Sequence, residues 1–380
     1  MPAPIRFDEV RAWLFGRALP LWAGAGLDRA HGGSVEALDL HGRDSAKLFK
    51  RTRVQARQVY AFTHAHLLGW DGLDAAEHCW RFLQANGRRE DGAWIRLIGR
   101  EGGAVDRAAD AYDIGTVLFA LAWRARAGDA DAAGHARASL DALDHLLADD
   151  AGGWRAAEDD PSLLLNPHMH LLEAAVELAD ATAEDRFAEL ARGLVGLFRE
   201  RLFEPRRGVV LERYGHGWAH PAAIGQIIWP GHLYEWTWLL HRAGAVLGLD
   251  LAAEARALHG FAEARGLDPQ TRLVDDGLEG EGLQPRRTFR CWAQAEALKA
   301  QLALFEHQGV DTRPRVAEIV SQLLDRYLDI EPSGGWRDRL GPGFQMRAAD
   351  IPASILYHLI LAVAELLRLE PKLSAPAADR

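Results

Sequence analysis

Asn166, His168 and His170 open the run Asn166-Pro167-His168-Met169-His170-Leu171-Leu172-Glu173-Ala174, which puts proton-handling and hydrogen-bonding side chains at the head of an otherwise apolar helix. On a helix, residues i and i+4 share a face while i and i+2 lie about 200° apart. Asn166 and His170 are therefore expected to point one way and His168 nearly the opposite way, so the two histidines should do different jobs. Imidazole, with an ordinary pKa of about 6.5, serves as base and then as acid near neutrality. The plain alternative is a capping asparagine followed by two incidental histidines. Against it stand comparable clusters elsewhere: Arg57 with Gln58; Asp110, Tyr112 and Asp113; Pro230-Gly231-His232 with Glu235 and Trp236; Arg290, Trp292, Gln294 and Glu296; and Tyr357 with His358 in an apolar run.

Each of these residue types has a chemical use. An arginine such as Arg57 stabilises a negative oxygen without giving up its own charge. Glu235, three residues after His232 on the same helical face, is suited to hold the imidazole tautomer or to bind a hydroxyl. Trp292 offers a flat apolar face. Taken singly, a buried histidine bonded to backbone or a tryptophan in the core is the ordinary reading, so the weight rests on whether the elements bring these residues together.

The chain has 380 residues, 48% hydrophobic and 26% charged, enough for a large core and not the composition of a disordered chain. Its formal charge of −10, with basic residues scattered rather than striped, disfavours nucleic acid or an anionic membrane as partner and suits a neutral small molecule. Cys79 and Cys291 are the only cysteines, which excludes a disulfide framework and a cysteine-based zinc site. The start, MPAPIRFDEVRAWLF, has no continuous apolar stretch, and no window reaches the length of a membrane span, so a cytoplasmic protein is expected, as a monomer or homodimer.

A turn followed by a short extended piece recurs six times, at HGGSVEALD, EDGAWIRLI, AGGWRAAE, PRRGVVLERY, TRLVDDGL and SGGWRDRL, about 60 residues apart. The intervals are rich in Ala, Leu, Glu and Arg with apolar residues at i, i+3 and i+4, and each has room for two helices. The pattern predicts twelve, near 7–24, 52–69, 73–87, 109–127, 131–148, 166–181, 185–201, 230–247, 251–265, 289–307, 312–329 and 351–369. Six helical hairpins stack as an open solenoid or close as an (α/α)6 barrel. Closure is favoured, because an open solenoid needs polar end repeats whereas the last helix, IPASILYHLILAVAELLRL, is among the most apolar. The expected architecture is all-α: one barrel domain over residues 1–370, short hairpin-like turns at one end, and a tail over 371–380.

In this scheme the unusual polar residues fall on one helix of each pair, always the one after the turn. If those helices form the inner ring, their N-terminal halves line one end of the barrel and converge on one pocket. Other chemistries fit less well. His64/His66 and His168/His170 are H-x-H pairs, but that spacing splays the ligands on a helix and no HExxH occurs, so no metal is expected. A glycosidase would need two carboxylates, for which Glu235, Glu296 and Asp350 are candidates, but has no need of three histidines. A binding scaffold would not sequester histidines in apolar helices.

RTRVQARQVYAF, NPHMHLLEAAVEL, WPGHLYEWTWLL, CWAQAEALKA and YHLILAVAEL resemble, in order and from about residue 50 to 365, the signature segments of the N-acylglucosamine 2-epimerase superfamily, which includes cellobiose 2-epimerases, mannose isomerases and sulfoquinovose isomerases. Ala293 stands where many members carry proline, and Pro167-His168 differs from the shorter side chains of some relatives. The resemblance implies an (α/α)6 barrel and cofactor-free, metal-independent isomerisation or epimerisation of a sugar at C1 and C2. It implies His358, His232 and His170 as catalytic residues, with His358 the base at C2, His232 serving C1 or the opposite face of C2, and His170 assisting ring opening. By the same matching, Arg57, Tyr112, Asn166, Glu235 and Trp292 sit in the site, and Gln294 and Glu296 are taken with them as sugar-binding. The chemistry needs ring opening, removal of a proton alpha to a carbonyl and its return through a cis-enediol, which imidazole and arginine can provide. The expected reaction interconverts mannose, or a close free hexose, with the 2-ketose fructose. A sugar 2-epimerase is the alternative and an α/α-barrel glycosidase a lesser one. A phosphosugar is less expected, although the cluster Arg286, Arg287 and Arg290 leaves it open.

Overall fold

A computed structural model describes residues 4–375. Twelve helices appear among them: α1 over residues 7–24, α2 Thr52–Leu67, α3 Leu73–Gly87, α4 Ala111–Arg126, α5 Ala132–Leu147, α6 Leu165–Thr182, α7 over residues 185–202, α8 Pro230–Leu247, α9 Ala252–Arg265, α10 Cys291–Gln308, α11 over residues 313–328 and α12 Leu356–Leu373. Three of them, α1, α7 and α11, include a wider π turn. The even-numbered helices are buried through most of their length and pack side by side, α2 on α4, α4 on α6, and so on to α12, which packs back on α2. Each odd helix after α1 lies against the even helix before it, and α1 lies against α12. The ring is thereby closed, with an inner and an outer layer, as the apolar last helix predicts. No helix is long and apolar enough to cross a membrane among the described residues.

Three helix starts differ from expectation, each for a local reason. The side chain of Asp110 accepts hydrogen bonds from the N–H groups of Tyr112 and Asp113, so α4 begins after its cap, at Ala111. Phe289–Arg290 is a short strand paired with Arg339–Leu340, which defers α10 to Cys291. Residues 351–355 are not α-helical. Pro352 has no N–H and holds Ile351 extended, and Ile351–Pro352 pairs antiparallel with Ala37–Leu38, fastening the two ends of the ring. At the other end α12 runs on to the buried Leu373, three residues into the stretch expected as a tail, and residues 376–380 lie outside the described part.

The recurring turns gather at the N-terminal end of the inner helices. In three repeats the fourth residue of the inner helix clips the preceding turn. Gln55 accepts from Ser34 N–H at 2.7 Å, His168 Nε2 from Trp154 N–H at 3.0 Å and Gln294 from Val274 N–H at 2.9 Å. The close approach explains the glycine in one of them: Gly153 has φ +77°, and a Cβ there would lie 2.6 Å from His168 Nε2.

Candidate active site

His168 and His170 part company as their spacing predicts. His168 donates from Nδ1 to Leu164 O at 2.7 Å while its Nε2 accepts from Trp154, so both ring nitrogens are committed to holding the turn. His170 faces the interior, stacked on Tyr112 with ring centres 4.9 Å apart.

There it joins two other histidines in a common arrangement. Nδ1 of His170 lies 3.1 Å from Glu173, Nδ1 of His232 lies 2.9 Å from Glu212, and Nδ1 of His358 lies 2.7 Å from Glu296. A carboxylate accepting at Nδ1 puts the proton on that nitrogen and leaves Nε2 with its lone pair free, the form a general base requires. All three rings are almost fully buried. Burial holds His170 down at about 4, and it holds His358 well below the ordinary histidine range, helped by Arg57 and Lys299, so these two are neutral near pH 7.

Glu235 lies between two of these pairs, His170–Glu173 and His358–Glu296. One carboxylate oxygen of Glu235, one of Glu173 and a ring nitrogen of His170 fall within 4.8 Å of one another, and so do ligand atoms of Glu235, Glu296 and His358. Neither oxygen of Glu235 has a hydrogen-bond partner, and burial together with the neighbouring Glu296 raises its carboxyl well above the ordinary range. It is therefore a neutral acid able to donate to a ligand. The two histidine–glutamate groups are compact enough for a divalent ion, and both include Glu235, which would have to lose its proton to bind one.

The walls complete the cluster. Arg57 donates from Nη2 to the Tyr112 hydroxyl at 2.6 Å and lies 4.6 Å over the ring of Tyr357, whose hydroxyl donates to Glu173. Trp292 sits with its ring 5.2 Å from His232 and 5.5 Å from His358. It fits because Gly231 opposes it: a Cβ there would come within 2.5 Å of the indole. Asn166 presents an Oδ1 with no partner. A separate cavity of about 470 Å³ occupies the far end of the ring, beside His64, Trp123 and Trp238. Its arginines 126, 242 and 368 are already paired with Glu177, Glu306 and their neighbours, and it is remote from the three histidine pairs.

The structure thus gathers His170, His232, His358, Arg57, Tyr112, Glu235 and Trp292, with Asn166 in the first turn of α6, and corrects three expectations. Gln294 is spent on backbone, accepting from Val274 and donating to Val274 O and Arg290 O, so it holds a turn and does not face a ligand. Glu296 is engaged by His358 on one oxygen and by Lys299 on the other, 2.7 Å away, so it positions the imidazole rather than binding sugar. The tautomer of His232 is held by Glu212, not by Glu235. Three residues went unnoticed as site members: Glu212, Glu173 and Lys299. Glu173 stands three residues after His170, the spacing applied to His232 and Glu235. Glu212 is marked only as an acid ending the apolar run VVL, next to Arg213, and Lys299 only as a lone charge inside ALKAQLALF.

Comparison with known proteins identifies the family and the fold. The family model described as N-acylglucosamine 2-epimerase (GlcNAc 2-epimerase) matches residues 32–362. The chain is 32% identical to a mannose-6-phosphate isomerase of Rhizobium meliloti (strain 1021), over 96% of this chain and 98% of that protein. It is 29% identical to a D-mannose isomerase of Thermobifida fusca, over 79% of each. In fold it matches the cellobiose 2-epimerase from Spirochaeta thermophila DSM 6192 with a TM-score of 0.86 at 24% identity, over 97% of both chains. With the closed double ring and the histidine–glutamate pairs at its inner end, the match over most of the chain makes this protein an enzyme of the N-acylglucosamine 2-epimerase family, the carbohydrate isomerases and epimerases.

Proposed function

We propose that the enzyme is an aldose–ketose isomerase that interconverts mannose, or a closely related free hexose, with the 2-ketose through a cis-enediol. The observation that carries this reading is the set of three imidazoles with Nδ1 held on glutamate and Nε2 left open beside Arg57 and a protonated Glu235. His170, with Glu235 next to it, assists ring opening. His358 Nε2 takes the proton from C2. The C–H electron pair becomes the C1=C2 bond, the carbonyl pair moves to O1, and the negative charge there is stabilised by Arg57. His358 returns the proton to C1 on the same face while the O2 hydroxyl proton passes to O1 and the O2 electron pair forms the C2=O2 bond, which completes the neutral 2-ketose. The names of the mannose-6-phosphate and D-mannose isomerases support this sugar class.

A free sugar is favoured over a phosphorylated one because the arginines of the RRTFR cluster are internally neutralised. Arg286 pairs with Glu279, Arg287 with Asp268 at 2.8 Å and Arg290 with Asp338 at 3.6 Å. The glycosidase reading is weakened, since Glu296 is fully engaged and Asp350 holds Lys47 at 3.2 Å. A 2-epimerase is the second reading, favoured by His232 standing beside Trp292 as His358 does, which offers a second base for the other face of C2.

The test is NMR in D2O with a panel of free and phosphorylated hexoses, N-acylglucosamine and cellobiose. A ketose formed from mannose supports the isomerase, and an aldose inverted at C2 replaces it with the epimerase. Turnover of mannose 6-phosphate in preference to mannose overturns the free-sugar assignment.

A further inference from the structure

Lys299 is the most deeply buried cation near the site, with no solvent exposure of its side chain, and the chemistry above does not use it. Its ammonium lies 2.7 Å from Glu296 Oε2 and 4.2 Å over the ring of Trp238, in an ion pair without the alignment of a directed hydrogen bond. On its other oxygen, Glu296 meets His358 Nδ1 at 2.7 Å. The three groups form a line from α10 to the reacting imidazole.

The surroundings decide what that line does. Glu235 comes in from α8, Glu173 and His170 from α6, His358 from α12 and Arg57 from α2. With Glu235 neutral, Glu173 and Glu296 remain as two carboxylates in one buried space, where like charges oppose each other and a proton on Glu296 would relieve the repulsion. A protonated Glu296 could donate to His358 Nδ1. The imidazole would then carry its own proton on Nε2, turned toward the substrate, and would cease to be a base. The fully buried ammonium of Lys299, 2.7 Å from Glu296, prevents this.

We infer that Lys299 is a positioning residue: by keeping Glu296 ionised it fixes His358 as the Nδ1–H tautomer, with Nε2 free to accept the substrate proton. This rests on the reading of His358 as the base. Burial holds Glu296 above the ordinary carboxyl range and Lys299 opposes that shift, while Lys299, despite its own burial, stays above its ordinary range beside Glu296 and Glu173.

The experiment replaces the charge and follows both rate and tautomer. In Lys299→Met, Glu296 takes up a proton at neutral pH. The acid limb of kcat then moves up by a pH unit or more, which lowers kcat about 10-fold or more at pH 7 while activity recovers toward alkaline pH. KM changes little. Because a buried pair stripped of one partner can prevent folding, Lys299→Gln, which keeps an N–H beside Glu296 without the charge, is measured in parallel. Nitrogen-15 NMR of the histidine rings, assigned with His358→Asn, reads the tautomer without reference to turnover. Wild type should show His358 protonated on Nδ1, and the lysine variants a shift toward Nε2–H that reverses at high pH. An unmoved pH profile with an unchanged tautomer overturns the role of Lys299. A tautomer that switches while turnover does not follow keeps that role and instead removes His358 as the base.

Discussion

His232 Nδ1 lies 2.9 Å from a carboxylate oxygen of Glu212, a residue of the turn preceding α8, while the carboxyl of Glu235, one helical turn along the same helix, makes no hydrogen bond. The same i,i+3 spacing that pairs His170 with Glu173 therefore fails at His232. Glu212 also accepts the N–H of Trp229 at 3.1 Å, so it fixes both the imidazole and the entry to α8.

Replacing Glu212 by Gln removes the charge and leaves the Nδ1 proton with a weaker acceptor. We expect kcat to fall roughly 10²- to 10⁴-fold, the range of general acid–base assistance, with circular dichroism unchanged. Steady-state kinetics on the preferred hexose check this. Activity near that of wild type would mean that His232 does not depend on its tautomer.

His358→Asn should abolish isomerisation while leaving folding and sugar binding nearly intact, because the amide keeps some hydrogen bonding but cannot shuttle a proton. The readout is deuterium entering C2 of the aldose in D2O. Exchange at close to the wild-type rate would remove His358 from C2, and loss of exchange in His232→Asn alone would move that role to His232.

Burial holds His168 at about 4, below the ordinary histidine value of about 6.5. As the pH falls, the unfolded imidazole takes its proton first. The stability it contributes is therefore complete above about pH 6.5, declines through the interval and is gone below about pH 4, a loss of roughly 2 kcal/mol at pH 5. Gln294 shows that glutamine can do the same job, accepting from a turn N–H and donating to the carbonyl four residues back. His168→Gln should therefore fold and show a smaller drop in urea midpoint between pH 7.5 and pH 5 than wild type. An equal drop would show that this histidine is not the acid-sensitive element.

Activity should survive exhaustive treatment with EDTA, because both compact histidine–glutamate groups lean on a protonated Glu235. Loss of turnover that a divalent ion restores would convert those groups into a metal centre.

What the chain alone determined follows from short-range chemistry. Apolar spacing and the recurring turns locate twelve helices, because helix periodicity and turn geometry depend on residues a few positions apart. The opposite facing of His168 and His170 was legible for the same reason. Closure was legible only in outline: the apolar character of α12 implies burial, but the pairing of Ala37–Leu38 with Ile351–Pro352 joins residues at opposite ends of the sequence. Tertiary structure alone decided which acid serves which imidazole. Glu212 reaches His232 across 20 positions and Glu296 reaches His358 across 62, distances over which no local spacing rule operates. The outcome turns on how the packed helices share a few buried charges. Gln294 and Gln55 are consumed by backbone groups that burial forbids to stand unpaired, and Glu235 is left free because its neighbours are already engaged.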